Sequence, residues 1–369
     1  MKKEAATRYG CGPSVRGNAA LDVVKILFIT FSKKGPLHMH LDPSVVYRCF
    51  NPAAVLSKRQ NVVAVIHSSE SHLADMQPDI VICHRPRAGK ELDTVFRKFP
   101  QARMVADFDD LLFCRDTLDT HPASLSGRSS NSALLKSAGE YRQAAGRFNE
   151  FTVSTQPLKE HIEKQFPHST CHIVNNGWGE DWLSMAGLIE ARQKPRSRKK
   201  ICYFAGTANH DQDLYQVSTQ LREFLLENPA IDLEIFGSID LGKFKAVESQ
   251  VIKGRSVPFY LFPSIIKQAW VSIAPLIDTP FNQCKSAIKF IEAGLFGVPL
   301  IATPTDDLRR MQNDGLLFAS QGDDWYLALN RLLDPDTHRS CSHASSEAAL
   351  QQSAEYAMTH ATISDAWAL

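Results

Sequence analysis

Residues 274–299 read APLIDTPFNQCKSAIKFIEAGLFGVP, and the order of residue types in this stretch decides the fold class. The apolar run ending at Ala274 gives way to a loop rich in proline and asparagine. A helical pattern begins near Asn282, and Gly297-Val-Pro stops it before the next apolar run. Strand, loop, helix and strand in that order form the repeating unit of a parallel α/β sheet. Such a unit aims its helix N-terminus at the carboxyl edge of the sheet, where α/β folds bind ligands.

The same alternation extends outward in both directions. Candidate strands lie at 25–30, 62–67, 80–83, 103–106, 151–154 and 171–174, then again at 201–204, 233–236, 271–273 and 299–302. Between the two sets, residues 192–200 (RQKPRSRKK) hold six basic residues and a proline, a composition that cannot bury itself. This stretch reads as a solvated hinge, or as a basic patch attracted to anionic lipid. The expected division is a loose extension at 1–22, a first Rossmann-like domain at 23–190 and a basic linker at 191–200. A second Rossmann-like domain follows at 201–344, and a terminal helix at 345–369 returns toward the first.

Composition excludes several classes. A chain of 369 residues favours two domains, and 44% hydrophobic with 22% charged residues is the balance of a globular protein. With 41 basic against 40 acidic residues there is no global field for gripping nucleic acid, so anions must be held locally. Eight cysteines (Cys11, Cys49, Cys83, Cys114, Cys171, Cys202, Cys284, Cys341) are scattered without a CxxC pair. They read as buried, reduced thiols of a cytoplasmic protein. No apolar run has membrane-spanning length, and no signal-peptide core opens the chain. GxSxG, Walker A and GxGxxG patterns are absent, against hydrolase, NTPase and dehydrogenase readings.

At roughly 100° per residue, Lys285, Lys289 and Glu292 share one face of the helix expected from Asn282. Ser286 and the first backbone N–H groups add donors, an arrangement suited to a diphosphate beside a ribose. The plainer alternative is a Lys289–Glu292 pair on a solvated face, contributing only about 0.2–0.5 kcal/mol. After the 201–204 strand, Gly206 permits close backbone approach to a phosphate and Thr207 offers a hydroxyl. His210 either caps the following helix or hydrogen-bonds a leaving phosphate. In the first half, Asp107, Asp109 and Asp110 end a strand, where they serve as a base, grip acceptor hydroxyls, hold a metal, or merely cap a turn. The expectation is that no metal is bound. His84-Arg-Pro-Arg87 and Lys33-Lys-Gly-Pro36 end neighbouring strands.

The segment PLIDTPFNQCKSAIKFIEAGLFGVPLIAT resembles the donor-site motif of the family-four (group 1) GT-B glycosyltransferases, especially the bacterial polysaccharide-assembly branch. Tyr47-Arg48, His84-Arg-Pro86, DFDDLLF at 107–113, VSTQPL at 153–158 and YFAGTANHDQD at 203–213 match in the same order, sampling residues 25–303. The resemblance implies an α/β fold of GT-B architecture, two Rossmann-like doubly wound domains facing across a cleft. It further implies a retaining hexosyltransferase that moves a sugar from a nucleotide-sugar substrate, with no separate cofactor. Glu292 would contact the ribose, with Asn282, Lys285, Ser286 and Lys289 around the diphosphate. The acceptor would be a saccharide or lipid-linked saccharide, reached in the cytoplasm with peripheral contact at the inner membrane face.

Two departures stand out. Family members carry a second glutamate eight residues before the first, where this chain has Cys284. The Arg and Lys that commonly follow the first strand of the second domain are replaced by Thr207 and His210-Asp-Gln-Asp213. Two other readings therefore stay open: a nucleotide-sugar epimerase on the same fold, and a non-catalytic nucleotide- or sugar-binding protein.

Overall fold

The structure, a computed structural model, describes residues 23–59, 61–70, 77–190, 198–205, 208–254 and 257–360. The expected N-terminal extension, most of the basic linker, and Gly206 and Thr207 lie outside the described residues.

Six parallel strands form the first sheet: β1 (Lys25–Thr30), β2 (Val62–His67), β3 (Ile80–His84), β4 (Arg103–Phe108), β5 (Glu150–Val153) and β6 (Thr170–Ile173). Their order is β2-β1-β3-β4-β5-β6. The run KILFIT makes β1 a central strand because it is apolar on both faces. Ile26 and Phe28 pack with Val45, Cys49 and Leu56 on one side. Leu27 and Ile29 pack with Val81, Ala106 and Phe151 on the other. Each such buried Leu, Ile or Phe contributes roughly 1.5–3 kcal/mol.

The second sheet repeats the scheme with β7 (Lys199–Phe204), β8 (Ile231–Phe236), β9 (Val251–Gly254), β10 (Val271–Ala274), β11 (Leu300–Ala302) and β12 (Leu316–Phe318). The order is β12-β11-β10-β7-β8-β9, again all parallel. Ile201 and Tyr203 face one core, Cys202 and Phe204 the other. The fold is α/β, two Rossmann-like domains. Winding reverses between β1 and β3 and between β7 and β10, and these switch points open crevices at the carboxyl ends of the strands. Every strand expected from the sequence is present with ends shifted by up to two residues; β9 and β12, both at sheet edges, are additional.

The chain passes between the lobes twice. After β6 it runs through Gly177 and Trp178 into the helix Asp181–Glu190, whose Trp182 packs into the second lobe's core beside Phe204 and Phe290. That helix was expected with the first domain, yet it lies against the Phe262–Ile266 helix of the second. On the return, the helix Pro335–Leu350 packs on the helices Ile288–Gly294 and Gly322–Leu333 of the second lobe and breaks. The helix Ala354–His360 then packs on Asn51–Ser57, with Ala354 and Met358 in the first lobe's core. The two passages are joined: Trp178 N donates to Gln352 O (3.1 Å) and Ala354 N to Trp178 O (2.8 Å). A Cβ on Gly177 would stand 2.6 Å from Ala354 N, so only glycine permits this approach. The seven described cysteines are free and buried.

Candidate functional site

The decisive stretch differs from expectation in one respect. Instead of one helix from Asn282, there are two short ones, Pro280–Gln283 and Ile288–Gly294, separated by Cys284 to Ala287. Side chains take the backbone groups that would have continued the ladder. Thr155 Oγ1 donates to Cys284 O (2.9 Å), and Ala287 N donates to Asp307 Oδ2 (2.7 Å). Lys285 and Ser286 therefore sit in the break rather than on a helical face with Lys289 and Glu292. The Ala287 N–H meets a carboxylate of the protein, so it is not free for a phosphate. Gly297, at φ +64°, ends the second helix as expected.

Glu292 is 4% exposed, far from a solvated face. Its Oε1 accepts from the Tyr47 hydroxyl of the first lobe (2.8 Å) and its Oε2 from Lys289 Nζ (3.2 Å). Tyr47 enters an aromatic cluster of the second lobe, 5.6 Å from the Phe259 ring and 6.3 Å from Trp182. Burial, then the Glu292 carboxylate, push its hydroxyl well above the usual phenol range. Lys289 lies over the Phe262 ring at 5.1 Å.

Two further residues of this stretch also meet the first lobe. Lys285 Nζ reaches Asp110 Oδ1 (3.2 Å), and Ser286 Oγ accepts from Asn176 Nδ2 (3.0 Å). The ring of His121, from the first lobe, lies 4.5 Å from Phe281 of the second. Burial and the nearby Lys285 hold the His121 pKa below its ordinary value.

The three aspartates separate in role. Asp107 is buried, and Arg48 Nε (3.0 Å), Arg48 Nη2 (2.5 Å) and Thr152 Oγ1 (2.7 Å) occupy both its oxygens. Arg48 also donates to Val174 O and to Asn176 Oδ1 (3.1 Å). The expectation that Asp107 meets substrate is thereby corrected: a carboxylate fully engaged inside the sheet positions Arg48 and Asn176 instead. Asp109 accepts from Ser44 Oγ (2.5 Å) and Arg85 Nε (2.5 Å), and Arg85 Nη2 also donates to Asp110 Oδ2 (2.7 Å). Burial alone would raise the Asp109 pKa, but Arg85 and His84 hold it well below the carboxylate range. His84, buried at the end of β3, bridges Thr30 Oγ1 (3.0 Å) and Ser44 Oγ (2.8 Å). Arg85 has φ 50°, and among described residues no other non-glycine residue has positive φ. Strain of this kind gathers at functional sites.

At the end of β7, the turn Ala208–His210 packs against the first lobe's Pro122–Leu125 helix. His210 Nδ1 lies 2.7 Å from Asp213 Oδ2. Asn282, expected near the phosphates, is buried with Nδ2 on Asp213 Oδ1 (3.3 Å) and Ile277 O (2.9 Å). Among the described residues, no group of three His, Cys, Asp or Glu side chains is arranged to hold a metal ion. Lys34 donates to Leu41 O (2.5 Å), and Arg87 pairs with Glu140 at 2.5 Å.

Sequence reasoning missed Ser44, His121 and Asn176, and it named Tyr47 and Asp213 without a role. The partners of Ser44, Tyr47, His121 and Asn176 are tens to hundreds of residues away, so no local spacing could reveal them.

No model of a protein family matches the chain, and no curated protein matches it. Solved structures do share its fold. The Anabaena protein HepE, in complex with UDP-glucose, is 12% identical over 93% of this chain and 99% of its own, with a TM-score of 0.58. The sucrose-phosphate synthase of Thermosynechococcus elongatus is 12% identical over 91% and 97%, with a TM-score of 0.61. A putative UDP-N-acetylglucosamine 2-epimerase of Listeria monocytogenes is 12% identical over 89% and 94%, with a TM-score of 0.50. The chain thus has the GT-B arrangement along almost its whole length.

Proposed function

We propose that this chain is a glycosyltransferase that takes a sugar from a nucleotide-sugar donor. One observation carries the reading: Glu292, Lys289, Lys285 and Ser286 gather beside the β7/β10 switch point and face Tyr47, Asp110 and Asn176 of the other lobe. Two cations and a buried carboxylate suit a diphosphate and a ribose, and a fold shared with HepE, solved with UDP-glucose, supports a uridine nucleotide. Asp109 and Asp110 are assigned to the acceptor side. With so depressed a pKa, Asp109 orients an acceptor hydroxyl better than it deprotonates one. Retention at the anomeric carbon, a hexosyl group, and a saccharide or lipid-linked acceptor of bacterial surface polysaccharide extend the reading along the family resemblance. So do a cytoplasmic setting and peripheral contact at the inner membrane face. No helix among the described residues is long and apolar enough to cross a membrane.

Incubating the protein with a panel of UDP-sugars and acceptor glycans, and measuring released UDP, tests the proposal. Acceptor-dependent release supports it. The shared fold of the Listeria 2-epimerase favours a second reading in which the aspartates shuttle protons on the sugar. Conversion of UDP-N-acetylglucosamine in the absence of any acceptor would establish that reading instead.

A further inference from the structure

Between β1 and the Pro43–Val45 helix the chain runs through FSKKGPLHMHL at 31–41, a stretch with two lysines, two histidines and no carboxylate. Leu37 is 79% exposed, more than any other large hydrophobic residue described. Lys33, Lys34, Pro36, His38 and His40 are exposed as well, and the 3₁₀ turn Met39–Leu41 buries none of its residues. Lys34 Nζ donates to a neutral carbonyl, Leu41 O, so that bond leaves its charge uncancelled.

A single exposed leucine on a slack loop is ordinary surface. This loop is not slack. Ser32 N donates to Thr30 Oγ1 (3.2 Å), Lys34 N to Ser32 Oγ (3.2 Å) and Leu41 N to His38 O (2.9 Å). From the end of β2, His67 Nε2 donates to Ser32 O (2.8 Å). Asp42, the first acidic residue after the stretch, turns into the base of the loop, where its oxygens accept from Ser32 Oγ (2.5 Å) and Ser44 N (3.2 Å). Met39 leans on the first lobe's core. Polar groups thus close the base, and Leu37 stands at the tip with the two lysines just before it. A tip already held in place loses little freedom when it binds.

We propose that this tip, Leu37 with Lys33 and Lys34, docks on the surface of an anionic phospholipid bilayer. The leucine leaves water for the acyl boundary, while the lysines meet lipid phosphates and lay their stems along apolar surface. Either signal alone is marginal; together they give a reversible contact. The groove of a protein would also accept a leucine, but a stretch from 31 to 41 without one carboxylate favours a partner that is negative throughout. The inference rests on the peripheral membrane contact included in the proposed function and gives that contact a place on the chain. It also links the contact to the acceptor side. Just beyond the loop, Ser44 Oγ donates to Asp109 Oδ2 (2.5 Å), so a docked tip brings that carboxylate toward the bilayer.

Co-sedimentation of the full chain with vesicles, in the absence of donor and acceptor, tests the inference. Wild-type protein should bind vesicles of phosphatidylcholine mixed with phosphatidylglycerol and leave phosphatidylcholine alone unbound. Leu37→Ser should weaken binding about 10-fold or more, and Lys33→Gln about fivefold. Leu327→Ser, at a leucine 62% exposed on the Gly322–Leu333 helix of the other lobe, should change nothing. Equal binding to both kinds of vesicle, or equal losses in Leu37→Ser and Leu327→Ser, overturns the inference, and so does Leu37→Ser that binds like wild type. If Leu37→Ser instead dissociates a dimer seen by sedimentation velocity, the tip docks on a second copy and the inference falls. Acceptor-dependent UDP release by a protein that ignores both vesicles sinks this inference and leaves the transferase reading standing. Vesicle binding lost in Leu37→Ser, by a protein that releases no UDP with any acceptor, does the reverse.

Discussion

Glu292 and Asp109 are two carboxylates whose surroundings assign them opposite tasks. Glu292 is held by a hydroxyl and an ammonium, Asp109 by a guanidinium and a hydroxyl. Losing a charged hydrogen bond to ribose should cost about 1.5–3 kcal/mol, so Glu292→Gln is expected to bind UDP roughly 10- to 150-fold more weakly. Asp109→Asn should lower turnover and leave UDP affinity near wild type. Calorimetry with both variants checks the pair of expectations. Asp109 also carries a pH signature. Its folded pKa lies below the unfolded value of about 3.9, so its contribution to stability is present above that pH and is lost as pH falls through the folded value. The stability gap between wild type and Asp109→Asn, measured by urea unfolding, should therefore be widest near neutrality and narrow below about pH 4. If Lys285 and Lys289 neutralise the diphosphate, chelator should leave UDP binding intact. Loss restored by magnesium or manganese would count against that role.

Elements built from long, two-sided apolar runs were legible in the sequence. KILFIT at 25–30 and ICYF at 201–204 were read as strands, and in the structure each alternates between two cores; Lys199 and Lys200, assigned to the basic linker, instead open the second of these strands. The edge strands β9 and β12 escaped notice because VIKG and LLF are too short to carry a period. The helix over the proposed donor site was misread for a different reason. Its pattern is continuous, but Thr155 and Asp307, distant in sequence, take the backbone groups at Cys284 and Ala287. Tertiary partners of that kind override local propensity. For the same reason the residue types of the site were legible and their pairings were not. Gly294 in this helix shows how closely the element is held: a Cβ there would lie 2.6 Å from Ser345 O and 2.8 Å from the Ala349 Cβ. Gly294→Ala should destabilise the fold by about 1–3 kcal/mol, seen as a lowered Tm in calorimetry.

For the whole molecule, the groups assigned to the donor are met by the facing lobe. Tyr47, Asp110 and Asn176 hold Glu292, Lys285 and Ser286. A nucleotide must displace these partners, so Tyr47→Phe, which removes one competitor and keeps the ring, should bind UDP more tightly than wild type. Unchanged or weaker affinity would make Tyr47 part of the nucleotide's own contacts. How the lobes part is governed by the two passages of chain joined at Trp178 and Ser353. Bodies tied by one slack tether can swivel in any direction. Two tethers fastened side by side remove sliding and twisting and leave one rotation, like covers about a spine. The spine here is narrow because Gly177 has no side chain, and Gly177→Ala would force its two halves apart. Single-molecule distance measurements between the lobes should then find one opening coordinate in the wild type, and a broader, multi-directional spread in Gly177→Ala.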